Sequence, residues 1–212
     1  MLLKEVALEN YTNIPAAVAA GAKRIELNDN LAVGGTTVSR GVMAEAAKYT
    51  QEHGVSLVAM IRPRGGNFVY NDTELKIMEA DLLQAQALGV DAVTFGALTA
   101  AGDLDTEAMS LLVGAAGGMS VVFHMAFDAM NTEQQALAID WLVDHQVERI
   151  LTHGGPLTTA ITDCVPQLKA TIQLAAGRIQ ILPGGGITAD NVDEITAALN
   201  LKQAHGTKIL AY

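Results

Sequence analysis

Two arginines stand out in the segment "IRPRGG" (residues 61–66), because they follow directly on an apolar run in an acidic chain. Arg62 and Arg64 flank a proline, which stiffens the segment, and two glycines then allow a tight turn. A guanidinium group can grip a carboxylate or phosphoryl group through two parallel hydrogen bonds. We therefore predict that Arg62 and Arg64 bind a small anion. In the alternative interpretation they form internal ion pairs with Glu5 or Glu26, and the two roles can coexist.

Side chains that could exchange protons follow several other apolar runs. Glu26 occurs in "IELND", His124 and Asp128 occur in "FHMAFD", His153 occurs in "LTHGG" and His205 occurs in "HGTK". A single histidine of this kind usually satisfies only a hydrogen bond in a loop. Three histidines at equivalent positions indicate a site, provided that the runs are strands of one barrel. We predict Glu26 and His124 as an acid/base pair, with Asp128 and His153 as further catalytic candidates.

The segment "LPGGGITADNV" is a second indication of an anion site. Gly184, Gly185 and Gly186 allow a ligand to approach the backbone closely, and the following helix start would direct free N–H groups towards it. His205, in the next loop, is assigned to the same anion-binding set. The alternative is a tight turn that simply requires glycine.

The sequence does not identify metal ligands. Histidines and carboxylates from separate strands could bind zinc, manganese or copper, but no H-x-x-H or C-x-x-C spacing supports such a site. The single cysteine, Cys164, lies in "ITDCVPQL" at a predicted helix start away from any strand end. We expect it to pack as a small apolar side chain rather than to act as a nucleophile.

Short β-branched runs alternate with longer amphipathic stretches, which is the rhythm of repeated βα units. Apolar strands separated by amphipathic helices predict a parallel sheet covered by helices. About eight such units, with no G-x-G-x-x-G turn after the first strand, favour an α/β fold of the (β/α)₈ TIM-barrel type over a Rossmann fold. The predicted strands are Leu3–Ala7, Arg24–Leu27, Ser56–Ile61, Ala92–Phe95, Ser120–Phe123, Arg149–Leu151, Gln180–Leu182 and Lys202–His205.

The predicted helices have recognisable starts. Asn71 with Glu74, and Asn131 with Gln134, have the spacing of capping boxes. His53 and His145 fall near helix C-termini, where capping explains them. The side chains expected to face inward are Leu75, Met78, Leu82 and Ala85 in one helix, Leu137, Ala138, Trp141 and Leu142 in another, and Val192, Ile195 and Leu199 in a third.

The last helix of the barrel is predicted to be missing or much shortened, because only a few residues follow "QAHGTK". Its absence would leave a bare seam of apolar surface beside the last strand. Monomers rarely expose a large patch of that kind, so we expect a homo-oligomer that covers it.

Composition restricts the class of protein. The 212 residues suit one domain spanning 1–212. A net charge of -10 argues against nucleic acid and against anionic membrane surfaces as partners. The N-terminus lacks the apolar core of a signal peptide, and a single cysteine fits a reducing compartment. We therefore expect a cytoplasmic protein whose partners are a small anionic ligand or a metal ion.

Several segments together resemble the CutC family of copper homeostasis proteins: "GAKRIELNDNLAVGGTT", "IRPRGGNFVYND", "FHMAFD", "ILTHGG", and "ILPGGGIT" with "HGTK". The resemblance runs in order along nearly the whole chain. It implies a (β/α)₈ barrel with a shortened C-terminal end, a cytoplasmic location and copper handling through cysteine thiols. The rim positions that match the family pattern are Glu26, Arg62, Arg64, His124 and Asp128.

The chain departs from that family pattern where thiols are expected. The resemblance implies cysteines shortly after the first strand's glutamate and after the second strand, but here the residues are Ala7 and Asn28. Cu(I) prefers thiolate or thioether ligands, so direct Cu(I) binding is not expected by that route. Methionines such as Met43, Met78 and Met109 fall in helical stretches and are expected in the core. Copper as a cofactor is thus implied by the resemblance alone.

Three functions stay open from the sequence. The first is copper homeostasis, as the family resemblance implies. The second is a barrel enzyme that acts on a small anionic metabolite, either phosphorylated or not. The third is an anion sensor or scaffold without catalysis, since barrels host many unrelated activities. Whether the protein is an enzyme is not decided by the residues.

Overall fold

Residues 2–211, as described by the computed structural model, form eight parallel strands and seven α-helices in strict alternation, except that no helix follows the last strand. The strands are β1 (Leu3–Glu9), β2 (Arg24–Asn28), β3 (Ser56–Met60), β4 (Ala92–Phe95), β5 (Ser120–Phe123), β6 (Arg149–Thr152), β7 (Gln180–Pro183) and β8 (Gln203–Gly206). The helices are α1 (Ile14–Ala19), α2 (Arg40–Glu52), α3 (Asp72–Ala87), α4 (Thr106–Ala115), α5 (Thr132–Asp144), α6 (Ile161–Ala175) and α7 (Val192–Leu199). Each predicted strand is present with bounds that agree within two residues.

The strands form a nearly closed barrel of the TIM type. Hydrogen-bonded neighbours run in the order β7-β6-β5-β4-β3-β2-β1-β8. Between β7 and β8 the described residues form no ladder, although the amide of Gln203 donates to the side-chain carbonyl of Gln180 at 3.0 Å across this gap. Past the strand ends, Thr188 and Lys208 form an isolated parallel bridge. The predicted fold class, with its missing last helix, is confirmed.

Two helices begin as the sequence predicts. The Asn71 side chain accepts the backbone N–H groups of Thr73 and Glu74, and Glu74 accepts the N–H of Asn71 in return. Asn131 and Gln134 form the same reciprocal pair at the start of α5. Capping boxes of this kind satisfy N–H groups that the helix itself cannot pair.

The inner faces are mostly as predicted, with one error in α5. Ala138 and Leu142 are buried, but Leu137 is 66% exposed, so its predicted inward position is wrong. The buried stripe of α5 instead passes through Gln135 and Ile139. Gln135 is tolerated there because its amide donates to the backbone carbonyl of Phe127 at 3.0 Å. The predicted inward residues of α3 and α7 are buried, except that Leu75 is only half-buried.

Among the described residues, the seam expected beside β8 is covered in part. Ile209, just after β8, is fully buried and joins the main core, and Leu210 packs against it. The large apolar side chains that are exposed lie elsewhere, on α3 to α6 and in three loops: Val33, Val69, Ile77, Leu83, Leu111, Leu137, Leu157 and Leu174. At the other end of the gap between β7 and β8, however, a cavity with mainly apolar walls stays open, lined by residues such as Leu3, Ile172 and Ile179. The oligomer expected to cover this seam stays a prediction.

Two apolar clusters stabilise the barrel. The larger lies between the strands and the surrounding helices and contains most of the buried apolar side chains. The smaller lies inside the barrel and consists of Val58, Ala92, Val122, Leu151 and Leu182. No helix among residues 2–211 is both long enough and apolar enough to cross a membrane.

Candidate functional site

A cavity of about 490 Å³ opens at the C-terminal ends of the strands, which we call the mouth of the barrel. This is the end at which barrels of this type carry their functional groups. A second cavity, of about 540 Å³, lies at the opposite end beside the gap between β7 and β8 and has mainly apolar walls. The mouth is the better candidate because it gathers titratable side chains, which are Glu26, Arg62, His124, Asp128 and His205.

Strand register brings three charged side chains together beneath the mouth. Glu5 of β1 lies opposite Arg24 of β2 on one side and opposite His205 of β8 on the other. The Glu5 carboxylate accepts from the Arg24 guanidinium and lies 2.8 Å from His205 Nδ1. The other ring nitrogen of His205 lies 3.8 Å from Glu26 Oε2. His205 is thus held between two buried carboxylates.

The pKa values in this group are displaced by burial and by mutual charge. Burial by itself would raise the pKa of Glu5, but the hydrogen bond with His205 and the charges of His205 and Arg24 bring it to about 2. Burial raises the pKa of Glu26, and the charge of Glu5 adds to that effect. Burial opposes protonation of His205, yet Glu26 and Glu5 raise its pKa. Glu26 and His205 are therefore set up to share a proton.

The side chains of this group are close enough together to bind a metal ion, but the positive charges beside them oppose it. Glu5, Glu26 and His205 offer ligand atoms within 4.8 Å of one another. However, Arg24 already pairs with Glu5, and the charge of Arg149 also acts on Glu5. A cation placed here would be repelled by two guanidinium groups. We interpret the group as one that shares protons, and the metal ligands of this protein stay unassigned.

His124 lines the mouth and has a buried ring nitrogen without a partner. It follows β5 directly, and its Nδ1 accepts the backbone N–H of Ala126 at 3.3 Å, which places the ring proton on Nε2. Among residues 2–211, Nε2 has no hydrogen-bond partner, although the side chain is only 3% exposed. Burial and the nearby charge of Arg62 lower the pKa of His124 to about 3. The ring is therefore neutral near pH 7 and carries an unused N–H.

Arg62 lines the mouth, but most of its donors bind the protein itself. Its Nη1 donates to the carbonyls of Val33 and Gly35 at 2.9 and 3.1 Å, and Nη2 donates to Gly66 at 2.6 Å. The guanidinium carbon lies 4.9 Å from the centre of the Phe68 ring. Arg62 thus ties two mouth loops together and contributes a buried positive charge, while its Nε remains without a partner.

Arg64 is not part of the mouth. Its guanidinium binds Glu74 at the start of α3 and is partly exposed, so the predicted pairing of the two arginines on one anion does not fit this placement. Neither Arg62 nor Arg64 forms an ion pair with Glu5 or Glu26 in the described part of the chain. The partner of Glu5 is Arg24, which the sequence reasoning missed. The signal was the period-two spacing of Arg24, Glu26 and Asn28 along β2.

Asp128 lines the mouth but serves mainly to hold a loop. Its carboxylate accepts from the Thr152 hydroxyl at 2.6 Å and from the N–H groups of His153 and Gly154 at 2.9 and 3.0 Å. Burial raises the pKa of Asp128, and these three donors oppose the rise. With its oxygens engaged in this way, Asp128 fits a structural role better than the predicted catalytic one.

His153 is turned away from the mouth, contrary to its prediction as a catalytic residue. Its Nδ1 lies 3.0 Å from the carbonyl of Gly184, and its Nε2 lies 3.1 Å from the carbonyl of Thr159. The Cys164 Sγ atom is 3.5 Å from the same Nε2. Cys164 is buried within α6, as expected, but it packs beside the loop that follows β6 rather than away from every strand end.

The glycine loops supply free backbone donors. Gly155, Gly185 and Gly186 line the mouth, and among the described residues their N–H groups have no hydrogen-bond partner. Gly185 and Gly186 have φ angles of 79° and 76°, a conformation that favours glycine. Gly184 differs, because its N–H donates to the carbonyl of Thr152 and an added Cβ would lie 2.7 Å from Leu151. We therefore remove Gly184 from the anion-binding set.

Two methionines in the mouth were not anticipated. Met60 ends β3 and Met125 follows His124 directly, and both line the cavity. The period-two pattern of β3, which turns Val58 inward, could have revealed Met60. Met43, Met78 and Met109 are buried in their helices, as predicted.

The fold and the site define a class: a TIM-type barrel with a polar cavity at the C-terminal ends of its strands. The CutC family model matches residues 2–210, and the chain belongs to this family. The resemblance drawn from the sequence motifs is thereby confirmed.

Relatives match over almost the whole chain. The family protein CutC of Enterococcus faecalis is 54% identical over 209 residues, covering 99% of this chain and 100% of that protein. The human protein named copper homeostasis protein cutC homolog is 37% identical over 203 residues, covering 96% of this chain and 72% of that protein. The crystal structure of CutC from Streptococcus agalactiae superposes with a TM-score of 0.95 at 48% identity, covering 99% of this chain and 100% of that one.

Of the two positions at which the resemblance implies thiols, one lines the mouth and the other contacts Glu26. Ala7 lines the cavity and pairs in register with Glu26. Asn28 is fully buried, and its amide donates to Glu26 Oε2 at 2.9 Å. In this chain, Asn28 thus positions a carboxylate instead of offering sulfur.

Proposed function

We propose that this protein binds a small phosphorylated or carboxylated ligand in the mouth, and that it contributes to copper homeostasis through this ligand rather than by holding Cu(I) on thiolates. The role in copper homeostasis is supported by the names of its relatives. The anionic ligand is supported chiefly by the unpaired N–H groups of Gly155, Gly185 and Gly186. Consecutive free N–H groups in a left-handed loop form an anion-binding concavity.

The charges around the mouth favour the same ligand. The Arg62 guanidinium and the His205 ring, whose pKa is raised, place positive charge on two sides of the cavity. His124 adds a neutral donor from β5. In a buried cavity, fixed donors of this kind bind an anion more strongly than they would in water.

The same lining offers little to Cu(I). Among the described residues, no cysteine lines the mouth, and burial raises the pKa of Cys164, which keeps its thiol protonated. The thioethers of Met60 and Met125 are ligands that Cu(I) accepts. The buried charge of Arg62 beside them opposes the binding of a cation.

A thermal-shift screen tests the proposal directly. Inorganic phosphate and a panel of small phosphorylated and carboxylated metabolites are added to the purified protein, because a ligand specific for the folded state raises the melting temperature. We expect at least one anion to raise it, and the His124→Phe variant to bind that anion about tenfold more weakly, since one hydrogen bond is lost. His145→Phe is the matched control, because His145 caps α5 outside the mouth.

Two results would reject the proposal. One is the absence of any shift across the panel, and the other is an equal shift in wild type and in His124→Phe. Stoichiometric Cu(I) binding by the wild-type protein that is lost on changing Met60 and Met125 to Leu would favour direct copper handling instead.

We also propose a cellular location and an oligomeric state for the protein. A single buried cysteine suits the reducing cytoplasm, where we place the protein. We also expect a homo-oligomer, which would cover the apolar-walled cavity beside the gap between β7 and β8. Sedimentation that shows a monomer at micromolar concentration would exclude the oligomer.

A further inference from the structure

The mouth combines groups that a simple anion-binding site does not need. A buried carboxyl group, Glu26, lies beside a histidine that can exchange protons with it, with 3.8 Å between His205 Nε2 and Glu26 Oε2. A neutral histidine, His124, lines the same cavity, and its buried Nε2–H has no partner among residues 2–211. Binding alone requires donors, whereas a buried carboxyl group facing an anion opposes binding unless it has another role.

We propose that the mouth catalyses the enolisation of a small phosphorylated α-hydroxycarbonyl compound. Glu26 is the base, His124 donates a hydrogen bond to the carbonyl oxygen, and the glycine loops bind the phosphate. This inference rests on the proposed anion site and goes further by naming the substrate class and the reaction.

The proton acceptor is held in place by its neighbours. Asn28 donates to Glu26 Oε2 at 2.9 Å, which fixes the carboxyl group on the cavity wall. Burial raises the pKa of Glu26, so it is a stronger base than an exposed carboxylate. Glu5 and Arg24 act as positioning residues, because Glu5 accepts from both Arg24 and His205 and so fixes the orientation of the His205 ring.

The negative charge that develops on the substrate oxygen needs a hydrogen-bond donor in the mouth. Enolisation turns a carbonyl oxygen into an enolate oxygen, which needs a donor that does not lose its own proton at neutral pH. The Nε2–H of His124 is such a donor, since Nδ1 is occupied by the Ala126 N–H and the ring is neutral. The nearby Arg62 charge stabilises the enolate further.

The step balances without any further reactant. The C–H bond next to the carbonyl breaks, and its proton passes to Glu26. The electron pair of that bond forms the C=C bond, and the carbonyl π electrons move to the oxygen that faces His124. Return of the proton to the same carbon regenerates the substrate. Alternatively, the hydroxyl proton moves to the enolate oxygen and Glu26 delivers its proton to the former carbonyl carbon, which gives the isomer.

Deuterium exchange followed by proton NMR tests this reaction. The protein is incubated in D₂O with dihydroxyacetone phosphate or ribulose 5-phosphate, and with dihydroxyacetone as the phosphate-free comparison. We expect loss of the signal from the carbon next to the carbonyl with the two phosphates. The rate should fall by about 10²-fold or more in Glu26→Gln, which removes the base, and by about 10²-fold in His124→Phe, which removes the enolate donor.

Matched controls separate the reaction from contamination and from binding. Glu52→Gln, at the exposed end of α2, should keep the full rate. Glu26→Gln is purified in the same way, so a contaminating isomerase would show equal exchange in that sample and reject the assignment. Binding of inorganic phosphate, followed by thermal shift in every variant, should persist in Glu26→Gln.

A pH profile examines the positioning role of Glu5. Since the charge of Glu5 raises the pKa of Glu26, Glu5→Gln should move the acid limb of the rate profile to lower pH. An unmoved limb with an unchanged fold would remove Glu5 from the assignment.

The two proposals fail in different ways. If phosphate binds and neither phosphorylated probe exchanges, the enolisation proposal is wrong while the anion site stands. If no anion binds at all, both are wrong.

Discussion

The inside of the barrel contains polar groups at two levels, and the levels differ in whether these groups have hydrogen-bond partners within the protein. In the lower layer, Glu5, Arg24 and Gln203 are linked by hydrogen bonds, with 2.9 Å between Arg24 Nη2 and the Gln203 side-chain oxygen. At the mouth, His124 Nε2 and several glycine N–H groups have no partner among the described residues. Since an unpaired buried polar atom costs stability, the hydrogen-bonded lower layer fits a structural role, and the unpaired Nε2 of His124 fits a site prepared for a ligand.

The largest effect should come from breaking the lower layer. Arg24→Met removes the guanidinium that neutralises Glu5 and leaves a buried carboxylate unpaired, which should lower the free energy of unfolding by about 3–5 kcal/mol. Arg178→Met is the control, because the Arg178–Asp140 pair is exposed and should contribute about 0–1 kcal/mol. Urea denaturation measures both, and equal losses would contradict the comparison.

A gain of function should follow from placing thiols at the two positions where the family resemblance implies them. The double variant Ala7→Cys/Asn28→Cys places two thiols on adjacent strands beneath the cavity. We expect it to bind about one equivalent of Cu(I), whereas the wild type binds none tightly, because thiolates are the ligands that Cu(I) prefers. Competition with a coloured Cu(I) chelator measures the difference. Ala22→Cys, which adds a buried thiol in the outer core, is the control.

A smaller effect should appear in the pH dependence of stability. Burial and the charge of Arg62 lower the pKa of His124 from its ordinary value of 6.5 to about 3 in the folded protein. As the pH falls below 6.5, the unfolded chain takes up a proton that the folded protein does not, so stability falls. His124→Phe should therefore show a shallower decline between pH 6.5 and about 5, above the range in which Glu5 contributes. Parallel curves for the two proteins would show that His124 is protonated in the fold.

The smallest effect should come from Arg64→Ala. This side chain pairs with Glu74 outside the mouth and is partly exposed. The thermal shift produced by an anion should be unchanged, because Arg64 does not line the cavity. Loss of the shift in Arg64→Ala would mean that the ligand lies in the loop after β3 rather than in the mouth.

The elements of this protein could be predicted because their signals are local. Strands such as Ala92–Phe95 are short apolar runs, and the caps at Asn71 and Asn131 depend on residues three positions apart. The prediction for Leu137 was wrong because apolar residues in a helix can be assigned to more than one face. Their spacing alone does not show which face is buried.

The site was predicted only in part. Glu26, His124 and His205 were predicted to lie at one rim because the strand ends of a barrel meet there, and all three line the mouth. Arg64 and His153 have the same kind of position in the sequence, yet one turns to Glu74 and the other to backbone carbonyls. Which way a side chain points after a strand depends on partners that are distant along the chain.

By itself, the sequence determined the barrel, its shortened end and the family, because these follow from periodic patterns and motifs spread along the chain. Only the tertiary structure decided that Glu5 binds Arg24 and His205, which are 19 and 200 positions away. It also decided which polar groups remain without partners. The physical reason is that hydrogen bonding and charge are satisfied in space, by whichever groups strand register brings within reach.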